Sequence, residues 1–390
     1  MLHRDADVMY NGVDKDKIEK ACPVMNDDVM AFHNNYIFER HNIYKRKEIL
    51  GLPQSEWTDD EIFQKYRFTN VRRELDRESM WLIKNISENE NLTLREKILN
   101  SMLFRTFNKS PTLELIGAPI TDFENVEKYR PMFERYAELN PKYVFFTPAF
   151  NTGGLKASNA FLHRTDIYDA TANDTEIGLT NINTKETKRM PLKQAKEFAK
   201  ANDGWQIDGY EPSMPMRMMN LIQHVNRQDI VERILNSKTQ SESFEIIQEI
   251  KGFSKFLGYQ IWVDLTYIPE FKYSENEFTV SGPGCHNGLN FLFKDRDGLT
   301  DEELLFWLRD NIIDIWESKG LKTDLNGLFS HLPEYDRCLN VMMLENSFCE
   351  LGKYTKAKKG LGRPRVTYKP AENSNTRIQL ENECTLDEWN

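Results

Sequence analysis

Long apolar runs are missing from this chain, as are paired cysteines, a phosphate-binding loop and any excess of positive charge. No stretch of 18 apolar residues occurs, and the opening MLHRDADVMYNG lacks the apolar centre of a signal peptide. Neither a membrane span nor a secretory leader is expected. Five cysteines, at 22, 285, 338, 349 and 384, stand singly without a C-x-x-C pair. This spacing suits neither zinc nor iron–sulfur ligation and fits a reducing cytoplasm. No G-x-x-x-x-G-K-S/T motif is present, so these residues carry no P-loop for phosphoryl transfer. A formal net charge of −10 disfavours a general nucleic-acid binder.

What is present points to a packed, mainly helical protein. Of 390 residues, 39% are hydrophobic and 12% aromatic, enough to build a sizeable core in one continuous body or in two or three domains. Charge is unevenly spread: Lys353–Lys369, KYTKAKKGLGRPRVTYK, has no acidic side chain and makes a positive patch within an acidic average. A helix is expected near Asp27–Arg46. The Thr58-to-Glu61 spacing then reads as a capping box before a central helix carrying Tyr66–Arg77, YRFTNVRRELDR. There Phe68, Val71, Leu75, Leu82 and Ile86 recur at three- and four-residue steps as a buried stripe. Thr69, Arg73, Asp76 and Met80 share one flank, Arg77 lies further round and Glu74 opposite. Such a charged face is most simply a solvated surface with weak ion pairs, and the alternative is a functional role for Arg73 or Asp76.

Further along, Thr93 and Glu96 cap a helix whose stripe is Ile98, Leu99, Met102, Leu103 and Thr106, ending at Arg105–Lys109, RTFNK. Tyr143–Phe150 is an aromatic-rich strand or loop, and residues 163–215 read as an irregular polar insert. From Phe244 the spacing predicts one long helix through Ile246, Ile250, Phe253, Leu257 and Ile261 that places Asp264 on its apolar face. A buried carboxylate there needs a partner, whether a structural one or a substrate. Phe278–Leu289, FTVSGPGCHNGL, gives a glycine turn opening a helix, where free N–H groups suit a phosphate oxygen. Thr300 and Glu303 form a third capping box, before Leu304–Trp316. The last helix, about Asp336–Tyr354, changes along one face from Leu339, Met342 and Met343 to Asn346, Glu350 and Lys353. The Asn- and Glu-rich tail that follows reads as disordered.

Four of these stretches, in order, YRFTNVRRELDR, RTFNK, the YQIWVDL and GPGCHNG pair, and ENSFCELGKY, together resemble one family. It is the α-glutamyl/putrescinyl-thymine pyrophosphorylase group of phage DNA-hypermodification systems, which shares its helical domain with 5-hydroxymethyluracil DNA kinases and is thought to derive from helix-hairpin-helix DNA glycosylases. The resemblance runs from about Trp57 to Tyr368. It implies a mainly α, glycosylase-like catalytic domain over residues 57–369, with a helical extension over 1–56, the polar insert around 163–215, a tail over 370–390 and a few short strands near Tyr143 and Phe278.

The implied reaction attaches an amino acid or polyamine to the methyl of a pyrophosphorylated 5-hydroxymethyluracil in double-stranded DNA, with release of pyrophosphate. It requires cations for the leaving group, a base for the amine and exposure of the nucleobase. Arg73, Arg77 and Lys353 are candidate pyrophosphate clamps, and Asp76, Asp264 or Glu350 the base. Asn70, Asn108, Lys109, Tyr259 and Gln260 would line the substrate. Gly282, Gly284, His286, Gly288, Lys356, Lys358, Lys359, Arg363 and Arg365 would hold DNA. The partners implied are DNA containing modified thymine, a small amine or amino acid and a 5-hydroxymethyluracil DNA kinase, in the cytoplasm of an infected cell. No protein metal site is marked, and magnesium enters only as a companion of the pyrophosphate. Two other classes stay open: a glycosylase or lyase acting on a modified pyrimidine, and a non-catalytic DNA-binding accessory. For the first, Lys294, Asp295 and Asp297 do not form the expected pairing of a hairpin lysine with a downstream aspartate.

Overall fold

Reciprocal caps open two of the helices at the places their spacing predicts. In the computed structural model, Thr93 Oγ1 accepts from the Glu96 N–H while the Glu96 carboxylate accepts from the Thr93 N–H. Thr300 and Glu303 repeat the arrangement. Each pairing satisfies two backbone donors that a helix start leaves without partners. The structure describes residues 10–140, 145–147, 162–163, 176–181, 183–202, 205–207, 210–211, 214–250 and 253–362.

In chain order, α1 (Lys15–Lys20) and β1 (Val24–Met25) precede α2 (Asp27–Tyr44), which a π-helical turn over Lys45–Ile49 prolongs. Next come α3 (Glu61–Lys65), α4 (Arg77–Leu82), α5 (Leu94–Phe107), α6 (Ser110–Leu115) and α7 (Arg130–Leu139). The middle of the chain holds β2 (Leu162–His163), β3 (Glu176–Asn181), β4 (Thr187–Pro191), α8 (Leu192–Ala201), β5 (Trp205–Ile207) and β6 (Tyr210–Glu211). After these follow α9 (Met214–Asn226), α10 (Ile230–Asn236), α11 (Gln240–Gln248), α12 (Lys255–Thr266), α13 (Pro283–Leu292) and β7 (Phe293–Asp295). The last helices are α14 (Asp301–Ser318), α15 (Leu325–Leu328) and α16 (Val341–Lys358). The protein is mainly α, as expected.

Two units divide the described chain. One is drawn from residues 10–80, 238–241 and 271–362, the other from the described residues between 81 and 237 and between 242 and 270. In the first, α16 packs on α13, α2 and α14 around Tyr36, Trp316, Phe348 and Tyr354. Burying each such side chain contributes roughly 1.5–3 kcal/mol. Close approach of α13 to α16 depends on two glycines: a Cβ at Gly288 would stand 2.0 Å from the Phe348 carbonyl oxygen, and one at Gly284 2.3 Å from Cys349 Sγ. In the second unit α5 packs against α9 and α12, with Ile98, Leu103, Phe107, Ile222 and Trp262 buried.

Several expectations are corrected. Tyr66–Asp76 is a loop containing one 3-10 turn, Arg73–Leu75, and α4 starts only at Arg77. Thr58 does not cap α3. Asp60 does, accepting from the Ile62 and Phe63 N–H groups, while Thr58 Oγ1 accepts from the Asp60 N–H. The long helix from Phe244 is broken into α11 and α12, because Ser254 caps a fresh start at Lys255. The final helix begins at Val341, capped by Asn340, rather than near Asp336. Within 163–215, the described residues form an antiparallel sheet, β4-β3-β5, with α8 beside it. Glu176 pairs with Pro191 and Leu179 with Ile207 in that sheet. Phe145–Thr147 and Phe278–Gly282 are not strands, and the rest of Tyr143–Phe150 lies outside the described residues.

Candidate active site

The loop that replaces the expected central helix is held by side chains from elsewhere in its unit. Asn70 closes it on itself: its N–H donates to Asp76 Oδ1 at 3.1 Å and its Nδ2 to the Leu75 carbonyl at 2.9 Å. The carbonyls that a helix would use internally accept from other donors. Arg40 Nε reaches Phe68 O at 3.2 Å, the Tyr36 hydroxyl Thr69 O at 3.0 Å, and Asn346 Nδ2 Asn70 O at 2.7 Å. Buried carbonyls satisfied this way leave no drive to wind into a helix. Arg72 anchors the far end, donating to the Asp336 carbonyl at 2.8 Å, to its carboxylate at 2.7 Å, and to Glu74.

α16 brings a second set of charges to this loop, and the two sets make one cluster. Arg73 is buried, and its guanidinium acts electrostatically on the carboxyls of Asp76, Glu275 and Glu345. Burial raises the Asp76 carboxyl above its ordinary range, although the Asn70 N–H, Arg40 and Arg73 pull it back and Glu350 pushes it further. Glu345 is raised to about 7 by burial, against the Gly282 N–H and Arg73. Glu275 also reaches about 7, through burial and then the neighbouring Glu74 carboxylate. Lys353 donates to Glu350 at 2.6 Å. Burial opposes the charged Lys353 ammonium, but Glu350 holds its pKa above the usual lysine value. Carboxyls poised near neutrality beside a buried guanidinium are what a proton-transfer site on an anionic substrate needs.

Of the residues singled out from sequence, Asn70, Arg73, Asp76, Glu350 and Lys353 come together here. Arg77 lies outside the cluster, exposed and paired with Glu78 at 2.5 Å. Gly284 and Gly288 face α16, and Gly282 flanks the start of α13 with its N–H 3.3 Å from Glu345 Oε1. His286 Nδ1 stands 2.8 Å from Asp301, whose carboxylate also accepts from Arg296. Burial works against the Asp301 carboxylate, yet the bonds from Arg296 and His286 keep its pKa below the ordinary value. Lys356, Lys358 and Lys359 are exposed at the end of α16, Lys358 within 2.9 Å of Asp60. Arg363 and Arg365 lie outside the described residues.

Asp264 belongs to the second unit. It is fully buried and takes two bonds from Arg105, Nε to Oδ2 at 2.6 Å and Nη2 to Oδ1 at 2.5 Å. Arg105 Nη1 also donates to Asn108 Oδ1 at 2.7 Å. Asn108 is the left-handed C-cap of α5, and its Nδ2 donates to Thr147 Oγ1 at 2.7 Å. Lys109 flanks α6, while Tyr259 and Gln260 are buried on α12, Tyr259 stacked on Trp262. Sequence reasoning passed over Arg40, Arg105, Glu275 and Glu345 as functional side chains. Two of them sat in view: Arg105 opens RTFNK, and Glu345 is the first residue of ENSFCELGKY. Among the described residues no group of three or more His, Cys, Asp or Glu side chains could hold a metal ion, and no helix is long and apolar enough to cross a membrane.

Residues 27–361 match the family described as the 5-hmdU DNA kinase, helical domain, and the chain belongs to that family. A relative named 5-hmdU DNA kinase, from Bacillus phage SP10, is 23% identical over 334 residues, which cover 82% of this chain and 43% of the relative. The chain thus spans less than half the length of that relative. No solved structure matches.

Proposed function

We propose that the chain acts on DNA in thymine hypermodification, as an amino acid or polyamine:DNA transferase. An amine nitrogen attacks the exocyclic methylene of a pyrophosphorylated 5-hydroxymethyluracil, and the C–O bond breaks with its electron pair leaving on pyrophosphate. The ammonium proton passes to a carboxylate. The observation that carries this reading is the Arg73 cluster, which lies within the span matching the helical domain of kinases named for 5-hmdU DNA. The ordered resemblance to the thymine pyrophosphorylase group supports the transfer chemistry.

In this reading Arg73 and Lys353 take the pyrophosphate charge, because guanidinium and ammonium groups match phosphate oxygens. Asp76, Glu345 and Glu350 supply the acid–base chemistry. His286 and the exposed lysines after Lys353 hold the DNA backbone while the modified base leaves the stack, whereas the buried Gly282 N–H is turned inward to Glu345. Asp264, bound twice by Arg105, supports its unit rather than moving a proton. A 5-hydroxymethyluracil DNA kinase supplies the activated base, in the cytoplasm of the infected cell.

The test is nucleoside mass spectrometry on DNA carrying pyrophosphorylated hydroxymethyluracil, incubated with the protein and a mixture of amino acids and polyamines. A new amine-bearing nucleoside with released pyrophosphate is expected. Free modified base or an abasic site would make the protein a glycosylase, and unchanged DNA in every mixture would make it an accessory. Arg73→Ala is expected to abolish transfer while leaving affinity for unmodified DNA nearly intact. Parallel loss of binding would mark Arg73 as structural.

A further inference from the structure

We infer that Glu345, rather than Asp76 or Glu350, is the carboxylate that accepts the amine's proton, an assignment that rests on the transferase reading above. The other acids of the cluster serve local structure. Asp76, like Glu345, accepts one backbone N–H, but that bond, from Asn70 at 3.1 Å, closes the loop on which Asp76 itself sits; Glu350 accepts from Lys353 at 2.6 Å, and Glu275 accepts from Asn340 Nδ2 at 2.7 Å. Glu345 accepts one hydrogen bond, from the Gly282 N–H at 3.3 Å. It lies within the electrostatic reach of Arg73, the group assigned to the leaving pyrophosphate. Along α16, steps of four residues lead from buried Glu345 to partly exposed Cys349 and exposed Lys353, a graded face from the acid to solvent.

The groups facing Glu345 come from four elements. Arg73 comes from the loop, Cys285 from α13, Glu302 from α14, and Cys349 and Glu350 from α16 itself. Burial is the largest influence and brings the carboxyl to about 7, with Glu302 and Glu350 adding to it and the Gly282 N–H and Arg73 opposing it. A carboxyl with that poise is substantially ionised at neutral pH yet basic enough to take a proton from an ammonium group. In the step, the ammonium gives one proton to the Glu345 carboxylate, and the freed lone pair forms the C–N bond as pyrophosphate departs with the C–O pair. Glu345 then returns its proton to water.

The experiment is the pH dependence of the transfer rate in the full chain, with the amine that the mass spectrometry identifies. For the wild type the rate is expected to rise with pH to a plateau, with its midpoint near the Glu345 value of about 7. Glu345→Gln should lower kcat by about a hundred-fold or more and remove the rising limb, with little change in KM for the amine. Glu345→Asp should keep a limb but move its midpoint, which decides the matter if the Gln variant does not fold. An unmoved limb in the Asp variant, or a limb retained in the Gln variant, would overturn the assignment while leaving the transferase intact. A wild type that transfers no amine fails earlier, before any variant is made, and takes the Glu345 role with it.

Discussion

Asp264 and Glu345 are both buried carboxyls on helices, in different units, and their surroundings separate them. Asp264 meets a guanidinium fork in two bonds, and the third donor position of that fork is used by Asn108. Glu345 meets a single backbone N–H at 3.3 Å, and the attraction of Arg73 is opposed by the Glu302 and Glu350 carboxylates. A carboxylate bound twice by a guanidinium has its charge balanced and its geometry fixed. A buried carboxyl with one long bond holds a proton to a higher pH and stays available for transfer. Burial of an acid is thus no guide to function until its donors are known.

Removing one partner of the balanced pair is the largest perturbation expected. Asp264→Ala leaves the Arg105 charge buried without its carboxylate and should cost about 3–5 kcal/mol of stability. The double variant Arg105→Met with Asp264→Leu should be clearly less damaging than that single change. Denaturant unfolding of the three proteins checks this, and equal losses in the single and double variants would mean that packing, rather than charge, dominates the site.

The under-compensated carboxyl should instead reveal itself through pH. Folded Glu345 keeps its proton up to about pH 7, whereas the unfolded chain releases it near the ordinary value of about 4.3. Between those values the folded state binds more protons, so this group's contribution falls as pH rises through the window and is fully present only below it. At about 1.4 kcal/mol per unit, the change is on the order of 4 kcal/mol. Thermal melts across that window should show the wild type losing stability relative to Glu345→Gln as pH rises, and parallel curves would contradict the raised carboxyl. Glu275, which shares the direction, remains in both proteins and cancels from the difference.

A smaller loss is expected where α13 meets α16. Gly288→Ala would place a methyl carbon 2.0 Å from the Phe348 carbonyl oxygen, and a backbone atom cannot swing aside as a side-chain tip can. Overpacking of this kind costs typically about 1–3 kcal/mol, and the better helix propensity of alanine returns no more than about 1 kcal/mol of it. A lower melting temperature is the expected outcome. An unchanged or higher one would show that the two helices can move apart, which would free Gly288 to face DNA.

What could be read beforehand followed from local rules. The caps at Thr93 and Thr300 depend on residues three positions apart, and Asp264 shares an apolar face with its own helix neighbours. What escaped depends on distant residues. Arg105 lies 159 positions from Asp264, so the partner that the carboxylate demanded had no local signature. Tyr66–Asp76 has a helix-like period, yet Tyr36, Arg40 and Asn346 supply donors to its carbonyls and tertiary bonding overrides the pattern. The β3–β4 hairpin escaped because strands such as Thr187–Pro191, TKRMP, are largely exposed and show no apolar alternation. Glu345 was missed for another reason. It lies about 100° round the helix from Asn346, off the face that runs through Glu350 and Lys353.

The smallest effect expected is at Arg77, and it sharpens the contrast with Arg73. The two stand four positions apart in sequence, yet Arg73 is buried among carboxyls in the loop while Arg77 is exposed beside Glu78 at the start of α4. An exposed pair of this kind is worth about 0–1 kcal/mol, because solvent screens the attraction and holding two long side chains in one geometry costs entropy. Arg77→Ala should therefore alter stability by no more than about 0.5 kcal/mol, whereas a change at buried Arg73 removes a charge that three carboxyls face. Denaturant midpoints of the two alanine variants, measured side by side, give the comparison. If Arg77→Ala proved as costly as Arg73→Ala, or abolished transfer while leaving stability intact, Arg77 would have to close onto the cluster when pyrophosphorylated DNA binds.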